Sequence, residues 1–288
     1  MNSVLLQAFT GTFWAIQESK LYAIVEFFNL RIRGETINFK AAELREAPTT
    51  AGSISVIPVV GVVSQRMNMM NDFSGGVSTE KLTRQVKQAV ADPNIKAVVL
   101  DIDSPGGSVF GVQELGDYLL HAREQKPIIA SVNSLAASAA YWLASCCTEI
   151  CVTPSGEVGS IGVIGMHVDW SKFNEQMGIK PTYIHAGKFK SEGNPHEPLS
   201  DEALTHIQSQ IDTYYDTFIS AVAEGRGAPK DVVRKDFGQG RTVLAKEAVS
   251  LGMADRVETL NDTIARVSKR APSTKRAMAE LELLGKVV

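Results

Sequence analysis

The sequence predicts an α/β protein with a mostly parallel sheet, and three observations favour that class. Apolar runs at 54–62, 97–102 and 128–132 indicate buried strands. Apolar residues at helical spacing follow two of these runs, at 78–92 and 112–125. An order of strand, helix and strand implies right-handed crossovers, which make neighbouring strands parallel. Residues that directly follow such strands are therefore candidates for a functional site.

The N-terminal part of the chain is expected to be a helical extension, because Trp14, Leu21, Val25 and Phe28 lie about one or two helical turns apart. The segment 48–52 contains Pro and Gly, and we interpret it as a linker. The sequence then divides into an extension with its linker, a main domain and a charged helical tail, with predicted bounds 1–50, 51–267 and 268–288.

Composition excludes several classes of protein. With 288 residues, 44% of them hydrophobic and 21% charged, the chain is an ordinary globular protein rather than a disordered or fibrous one. Its 29 basic and 32 acidic residues give a net charge of -3, so neither nucleic acid nor an anionic membrane is an expected partner. No signal peptide and no apolar stretch of about 18 residues is visible.

Three cysteines lie between 146 and 151, at spacings that match no zinc signature and form no disulfide framework. A reducing compartment fits them best, and we expect them to be small buried groups. Four of the five histidines, at positions 121, 185, 196 and 206, also lack ligand spacing. The sequence therefore predicts no metal and no cofactor.

The first candidate segment, 103–108, follows the strand at 97–102. Its adjacent glycines, Gly106 and Gly107, leave backbone N–H groups uncovered, so that a substrate carbonyl can approach and accept hydrogen bonds from them. A tight turn is the alternative interpretation of the same residues.

The second candidate, Ser138, follows the strand at 128–132 and is flanked by alanines within a predicted helix at 136–145. Small neighbours leave its hydroxyl unobstructed, and a helix N-terminus favours developing negative charge. This pattern is typical of a catalytic nucleophile. It is equally compatible with an incidental serine or with Ser134 or Ser138 acting as an N-cap.

The third candidate segment is the loop 186–195, which follows a predicted strand at 182–185 and contains two lysines. A serine hydroxyl needs a base to act as a nucleophile, and a lysine amine can serve when burial lowers its pKa from about 10.4. Most lysines are instead solvated surface charges, which is the alternative here.

Four strings carry a resemblance to a known family: LDIDSPGGSVFG at 100–111, LAASAAYWLAS at 135–145, PSGEVGSIGV at 154–163 and HAGKFKSEGNPHEPLSDEA at 185–203. Together they resemble the S49 serine peptidases, the signal peptide peptidase A family, and most closely the capsid proteases of its tailed-phage branch. The similarity extends over 54–267. The residues Trp14, Ala15 and Ile16 also resemble the N-terminal region of that branch.

The resemblance implies a Ser-Lys dyad. The nucleophile of the family falls on Ser138, and its general base falls on Lys190 rather than Lys188. Ser160 is similar to the family serine that hydrogen-bonds to the lysine and orients it.

The resemblance also implies an oxyanion hole. The glycines of the S-P-G-G string, Gly106 and Gly107, resemble the loop that forms it, and we expect the Gly107 N–H to act together with the Ala139 N–H. Such a site would make the chain a serine endopeptidase.

The implied fold is a crotonase-like or ClpP-like spiral of ββα units, assembled into ring-shaped homo-oligomers. The implied substrates are phage scaffold, portal or shell proteins, cleaved during head maturation inside the prohead, in the host cytoplasm. We expect no N-terminal anchor like that of membrane-bound members, and so no degradation of signal peptides. We likewise do not expect the role of a fused scaffold that a long extension gives to some phage members.

Three alternatives remain open at this point. His167, 29 residues after Ser138, and Asp169 could form a Ser-His-Asp triad. An acyl-CoA hydratase or isomerase of the same fold would use paired carboxylates, and no acidic pair stands at suitable loop positions. A catalytically inactive capsid-assembly protein could retain the fold alone.

Overall fold

The structure, a computed structural model, describes residues 12–32, 47–66 and 76–270. The predicted tail at 268–288 lies almost entirely outside the described residues. The strands are β1 (Trp14–Ile16), β2 (Thr49–Ala51), β3 (Ile54–Val60), β4 (Val62–Ser64), β5 (Gly76–Ser78), β6 (Ala97–Ser104), β7 (Gly106–Ser108), β8 (Ile128–Ala137), β9 (Glu149–Val152), β10 (Glu157–Gly159), β11 (Thr242–Leu244) and β12 (Arg256–Val257).

The helices of the described residues connect and cover these strands. They are α1 (Glu18–Ile32), α2 (Thr79–Ala91), α3 (Val112–Gln125), α4 (Ala139–Ser145), α5 (Ser171–Gln176), α6 (Asp201–Arg226), α7 (Lys230–Asp236), α8 (Ala245–Ser250) and α9 (Leu260–Arg270). Ser78 caps α2 and Ser200 caps α6, each accepting a hydrogen bond from a backbone N–H of the first turn.

The larger sheet has the strand order β11-β10-β8-β6-β3-β2, with β9 beside β8 and β12 beside β9. Within the described part of the chain, seven of the ten pairings between strands are parallel. The prediction of an α/β protein with a mostly parallel sheet is confirmed.

The smaller sheet has the strand order β1-β7-β4-β5 and is connected to the larger sheet through two nearly continuous strands. Strand β3 continues through Gly61 into β4, and β6 continues through Pro105 into β7. The Ser104 hydroxyl donates to the Gly61 carbonyl over 2.6 Å and so joins the two crossing points. Helices α2 and α3 follow these strand pairs, which gives two successive ββα units.

Helix α4 lies at the centre of the core, and all seven of its residues are buried. The ring of Trp142 stacks on Phe218 of α6, with 4.7 Å between the centroids. A Cβ at Gly225 would lie 2.1 Å from the Ser145 carbonyl oxygen, so only glycine lets α6 approach α4 this closely. The residue that precedes α4, Ser138, is therefore held by a rigid support.

Three local predictions differ from the structure. Residues 14–16 form a strand rather than a helix, because pairing with β7 outweighs their apolar spacing. Residues 49–51 of the expected linker form an edge strand on β3. Residues 182–185 form no strand, because they are exposed and no neighbouring strand is available to them among the described residues.

Helix α9 is held on the larger sheet by buried apolar and charged side chains. Val267 packs with Ile54 and Val99. The Arg266 guanidinium lies 2.8 Å from Glu258 and 3.0 Å from Glu149. The hydrogen bond from Arg266 holds the pKa of the Glu258 carboxyl below its usual range.

The three cysteines are buried, as the sequence predicts, at the end of α4 and in β9. Burial raises the pKa of Cys146 and of Cys151 to about 12, and it raises that of Cys147 as well. None of the helices in the described part of the chain combines the length and the apolar character that a membrane crossing requires.

Candidate active site

Ser138 occupies a sharp turn between the end of β8 and the start of α4. Its backbone has φ 54° and ψ -119°, a strained conformation for a residue with a side chain. The Ser138 N–H donates to the Gly159 carbonyl over 2.7 Å, and its carbonyl accepts from the Trp142 N–H at 2.9 Å. A strained turn held from both sides is the geometry of a nucleophile elbow.

The Ser138 hydroxyl is enclosed, since the residue has 0% relative exposure. Its nearest hydrogen-bond acceptor is the Gly162 carbonyl, at 3.4 Å. This long contact leaves the hydroxyl proton weakly held.

Gly106 and Gly107 lie against the same turn, and each position requires a glycine. A Cβ at Gly106, where φ is 93°, would lie 2.8 Å from the Ala137 oxygen and 3.0 Å from the Ala139 nitrogen. A Cβ at Gly107 would lie 1.8 Å from the Val63 oxygen. Two glycines thus let β7 run directly beside the N-terminus of α4.

The backbone donors of this loop have different roles. The Gly106 N–H donates to the Ser104 hydroxyl over 3.2 Å and is therefore already used within the loop. The N–H groups of Gly107 and Ala139 are the pair that can face a carbonyl oxygen at this turn.

Ser160 immediately follows β10, the strand whose Gly159 accepts the Ser138 N–H. Its φ of 54° is unusual for serine, and its N–H donates to the Arg241 carbonyl over 2.8 Å. Ser160 is 8% exposed. It follows β10, which pairs with β8, the strand that leads into Ser138.

Lys190 lies in an exposed loop. Its N–H donates to the Gly187 carbonyl over 3.1 Å, which forms a turn. Within the described residues, its ammonium makes no hydrogen bond to Ser138 or Ser160. The neighbouring Lys188 forms an exposed ion pair with Glu202 at 2.7 Å. The structure therefore gathers five of the predicted site residues, and no hydrogen bond within the described part of the chain joins Lys190 to them.

His167 and Asp169 bind other partners. A nitrogen of the His167 ring contacts the Asn194 carbonyl at 3.1 Å, and Asp169 accepts from the Ser171 N–H at 2.8 Å. The latter bond lowers the pKa of the Asp169 carboxyl. In the described part of the chain these two side chains are hydrogen-bonded neither to each other nor to Ser138, so nothing supports the triad. The described residues form no cluster of three or more His, Cys, Asp or Glu side chains that could hold a metal ion.

One element of the site was missed by sequence reasoning, namely strand β1. It pairs antiparallel with β7, and Ala15 stands opposite Gly107. The available signal was an apolar triplet with a small central residue, Trp14-Ala15-Ile16. The polar residues Gln17 and Glu18 follow it directly, and α1 begins at Glu18. The spacing of the triplet to the next apolar residues favoured a helix instead.

Comparison with known proteins identifies the family of the chain. The profile of Peptidase family S49 matches residues 121–273, more than half of the chain. The head-tail preconnector protein GP5 of Enterobacteria phage P21 is 33% identical over 83% of this chain and 48% of that protein. The capsid assembly protease C of Escherichia phage lambda is 31% identical over 73% of this chain and 48% of that protein.

Cellular proteins are similar as well. Protease 4 of Salmonella typhi is 27% identical over 82% of this chain and 37% of its own length. The chain thus spans about half, or less, of the curated relatives that it matches. The family match and the identities to the phage proteins lead to one conclusion: the chain belongs to peptidase family S49.

Proposed function

We propose that the chain is a serine endopeptidase that uses Ser138 as its nucleophile and Lys190 as its general base, within a peptidase domain at 51–267. The observation that carries this proposal is the strained turn of Ser138 beside Gly107 and Ala139. Such strain persists only where the surrounding fold enforces it, and nucleophiles are typical occupants of these positions.

The proposed reaction has two halves. The Ser138 oxygen attacks the scissile carbonyl carbon while the uncharged Lys190 amine takes the hydroxyl proton. The C–N bond then breaks, and the leaving amine receives that proton from Lys190. Water hydrolyses the resulting ester and frees Ser138.

Backbone donors stabilise the negative oxygen of the tetrahedral intermediate. We assign this role to the N–H groups of Gly107 and Ala139, each contributing about 3 kcal/mol. Ser160 is proposed as a positioning residue, whose hydroxyl orients the Lys190 amine from the end of β10.

Lys190 needs a drier environment than its exposed loop provides. The loop also exposes large apolar side chains, with Tyr183 44%, Ile184 97% and Phe189 54% accessible. Covering these side chains in a homo-oligomer would bury the loop together with its amine. We therefore propose that the dyad is completed when the chain assembles.

Phage capsid-assembly proteins are the proposed substrates. Both phage relatives carry names that refer to capsid assembly or to the head-tail connection. We propose that the chain acts in head maturation, inside the prohead and so in the host cytoplasm, on scaffold, portal or shell proteins.

The test is incubation of the purified chain with phage scaffold, portal and shell proteins, followed by mass spectrometry of the products. Ser138→Ala is expected to reduce cleavage by about 10⁴-fold or more, because the nucleophile is lost. Ser134→Ala is the matched control, because Ser134 is an exposed serine whose hydroxyl donates a hydrogen bond to Asp103 over 2.8 Å. This variant is expected to cleave the substrates as fast as wild type. Equal cleavage by Ser138→Ala and wild type would refute the proposal.

A further inference from the structure

Strand β1 lies where an extended peptide would have to bind to reach Ser138. It pairs antiparallel with β7, the strand formed by the two site glycines, in the register Trp14–Ser108, Ala15–Gly107 and Ile16–Gly106. Peptides that bind at a sheet edge do so by adding a strand in this manner. The chain's own segment therefore fills the edge that β7 would offer.

The segment 13–17 is paired on both of its sides. Toward β7, the Phe13 carbonyl accepts from the Val109 N–H at 3.2 Å, and the Gln17 N–H donates to the Pro105 carbonyl over 2.7 Å. On the opposite side, Trp14 exchanges two hydrogen bonds with Ile164, at 2.9 and 2.8 Å. The segment is thus inserted as a strand between two backbone edges.

This alternation fixes the direction of the Ala15 carbonyl. Successive residues of a strand point their backbone groups to opposite sides, so Ala15 faces β7 as Phe13 and Gln17 do. A Cβ at Gly106 would meet the Ala15 oxygen at 2.3 Å and the Ala139 nitrogen at 3.0 Å. The Ala15 carbonyl therefore lies against the two proposed oxyanion donors, Gly107 and Ala139.

We propose that residues 13–17 are a built-in pseudosubstrate, which holds the peptidase closed until the segment leaves the groove between β7 and Ile164. This inference rests on the proposed function of Ser138. Ala15 and Ser138 both have 0% relative exposure, so the hydroxyl is closed to a substrate in this conformation. The register puts Ala15 at the position of the residue whose carbonyl would be attacked.

The packing of β1 makes its departure possible without unfolding the core. Trp14 and Ile16 form a small apolar cluster with Leu21 and Ile24 of α1 and with Val62. This cluster is distinct from the main core, to which the segment contributes Ala15 and against which Phe13 packs. Strand β1 and helix α1 can consequently move together as one unit.

The first test opens the groove in the full-length chain. Ala15→Arg places a long charged side chain at a buried position and is expected to displace β1. Hydrolysis of fluorescently labelled casein is then expected to rise at least about tenfold over wild type. The reason is that the closed conformation, which cannot bind substrate, is no longer populated. Ala23→Arg is the matched control, since Ala23 is exposed on α1 and the same substitution leaves β1 in place. Circular dichroism confirms that each variant is folded.

The second test closes the groove reversibly. Trp14→Cys combined with Ile164→Cys places two thiols on a directly opposed antiparallel pair, whose Cα atoms are about 5.5 Å apart and so within disulfide range. Casein hydrolysis is expected to fall at least about tenfold on oxidation and to return on reduction. The two single-cysteine variants are expected to show no such redox response.

The outcomes separate the two proposals. If wild type and folded Ala15→Arg hydrolyse casein equally fast, or if the oxidised double-cysteine variant is as active as the reduced one, the pseudosubstrate is refuted and the peptidase stands. If no folded variant hydrolyses either casein or a capsid-assembly protein, the proposed function fails and the inference falls with it.

Discussion

The two halves of the proposed dyad are built in opposite ways. Ser138 is fully buried between β8 and α4 and is fixed by hydrogen bonds to Gly159 and Trp142. Lys190 belongs to a stretch, 175–190, in which every residue is exposed. The nucleophile is thus positioned by the fold of one chain, whereas the base is positioned only by a turn.

The difference indicates which half of the site is prepared in advance. Groups that must not move during the reaction, the nucleophile and the oxyanion donors, lie on rigid elements. The lysine lies instead in a loop whose residues are exposed. Activity is therefore expected to depend on what covers the loop, and four substitutions test this contrast.

The largest effect is expected at the exposed half. Lys190→Ala should lower kcat by about 10²- to 10⁴-fold, because the proton acceptor is lost. Lys188→Ala removes a neighbouring lysine whose exposed ion pair with Glu202 contributes little, and it should retain activity. Equal losses in the two variants would mean that Lys190 has no special role. Hydrolysis of a natural substrate measures both.

At the buried half, Gly107→Ala should reduce kcat by about 10²- to 10³-fold. The added methyl group would lie 1.8 Å from the Val63 oxygen and would push the donor out of place. It should also lower the free energy of unfolding by about 1–3 kcal/mol. Gly52 has a φ of 63° and open space around it, so Gly52→Ala is the control. It should lower stability by about 1 kcal/mol and leave activity unchanged.

Between the two halves, Ser160→Ala should lower kcat by about tenfold to a hundredfold and leave KM unchanged, as expected for a group that orients another one. Ser155→Ala changes an exposed serine of the same segment and should be silent. An increase in KM alone would assign Ser160 to substrate binding instead.

The smallest effect on activity is expected far from both halves. Glu258→Gln weakens the Arg266 pair that holds α9 and should lower the free energy of unfolding by about 1–2 kcal/mol at pH 7, with kcat unchanged. The pKa of Glu258 is lower in the folded chain than in the unfolded one. The stabilisation is therefore present above the unfolded pKa of about 4.3 and is lost as the pH falls below it.

Chemical denaturation at pH 7 and pH 3 measures this difference. Glu80→Gln serves as the control, because the Glu80–Arg66 pair is exposed, with 41% and 77% of the side chains accessible. Its effect should stay within about 0.5 kcal/mol at both pH values. A wild-type advantage over Glu258→Gln that persisted undiminished at pH 3 would contradict the proposed ion pair.

Local signals in the sequence were sufficient for the elements that build the buried half. The apolar strand at 97–102, the glycine pair and the small residues around Ser138 each constrain the chain within a few residues, so their juxtaposition follows from a parallel sheet. Helix α3 occupies the predicted range, Val112–Gln125.

Strand β1 was not predictable in the same way. Its conformation comes from pairing with residues about ninety positions further along the chain, and no local spacing encodes such a partner. The exposure of Lys190 is a tertiary property too. The string around it resembles the family motif whether or not the loop is covered.

The three buried thiols of the chain have a practical consequence. Cys146, Cys147 and Cys151 are buried and stay protonated at neutral pH, because burial raises the pKa of each. Alkylating reagents should therefore modify none of them in the intact fold, and cysteine-directed inhibitors should be ineffective. Uptake of such a reagent at Cys146 or Cys147 would report opening at the end of α4, and uptake at Cys151 would report that α9 had left the sheet.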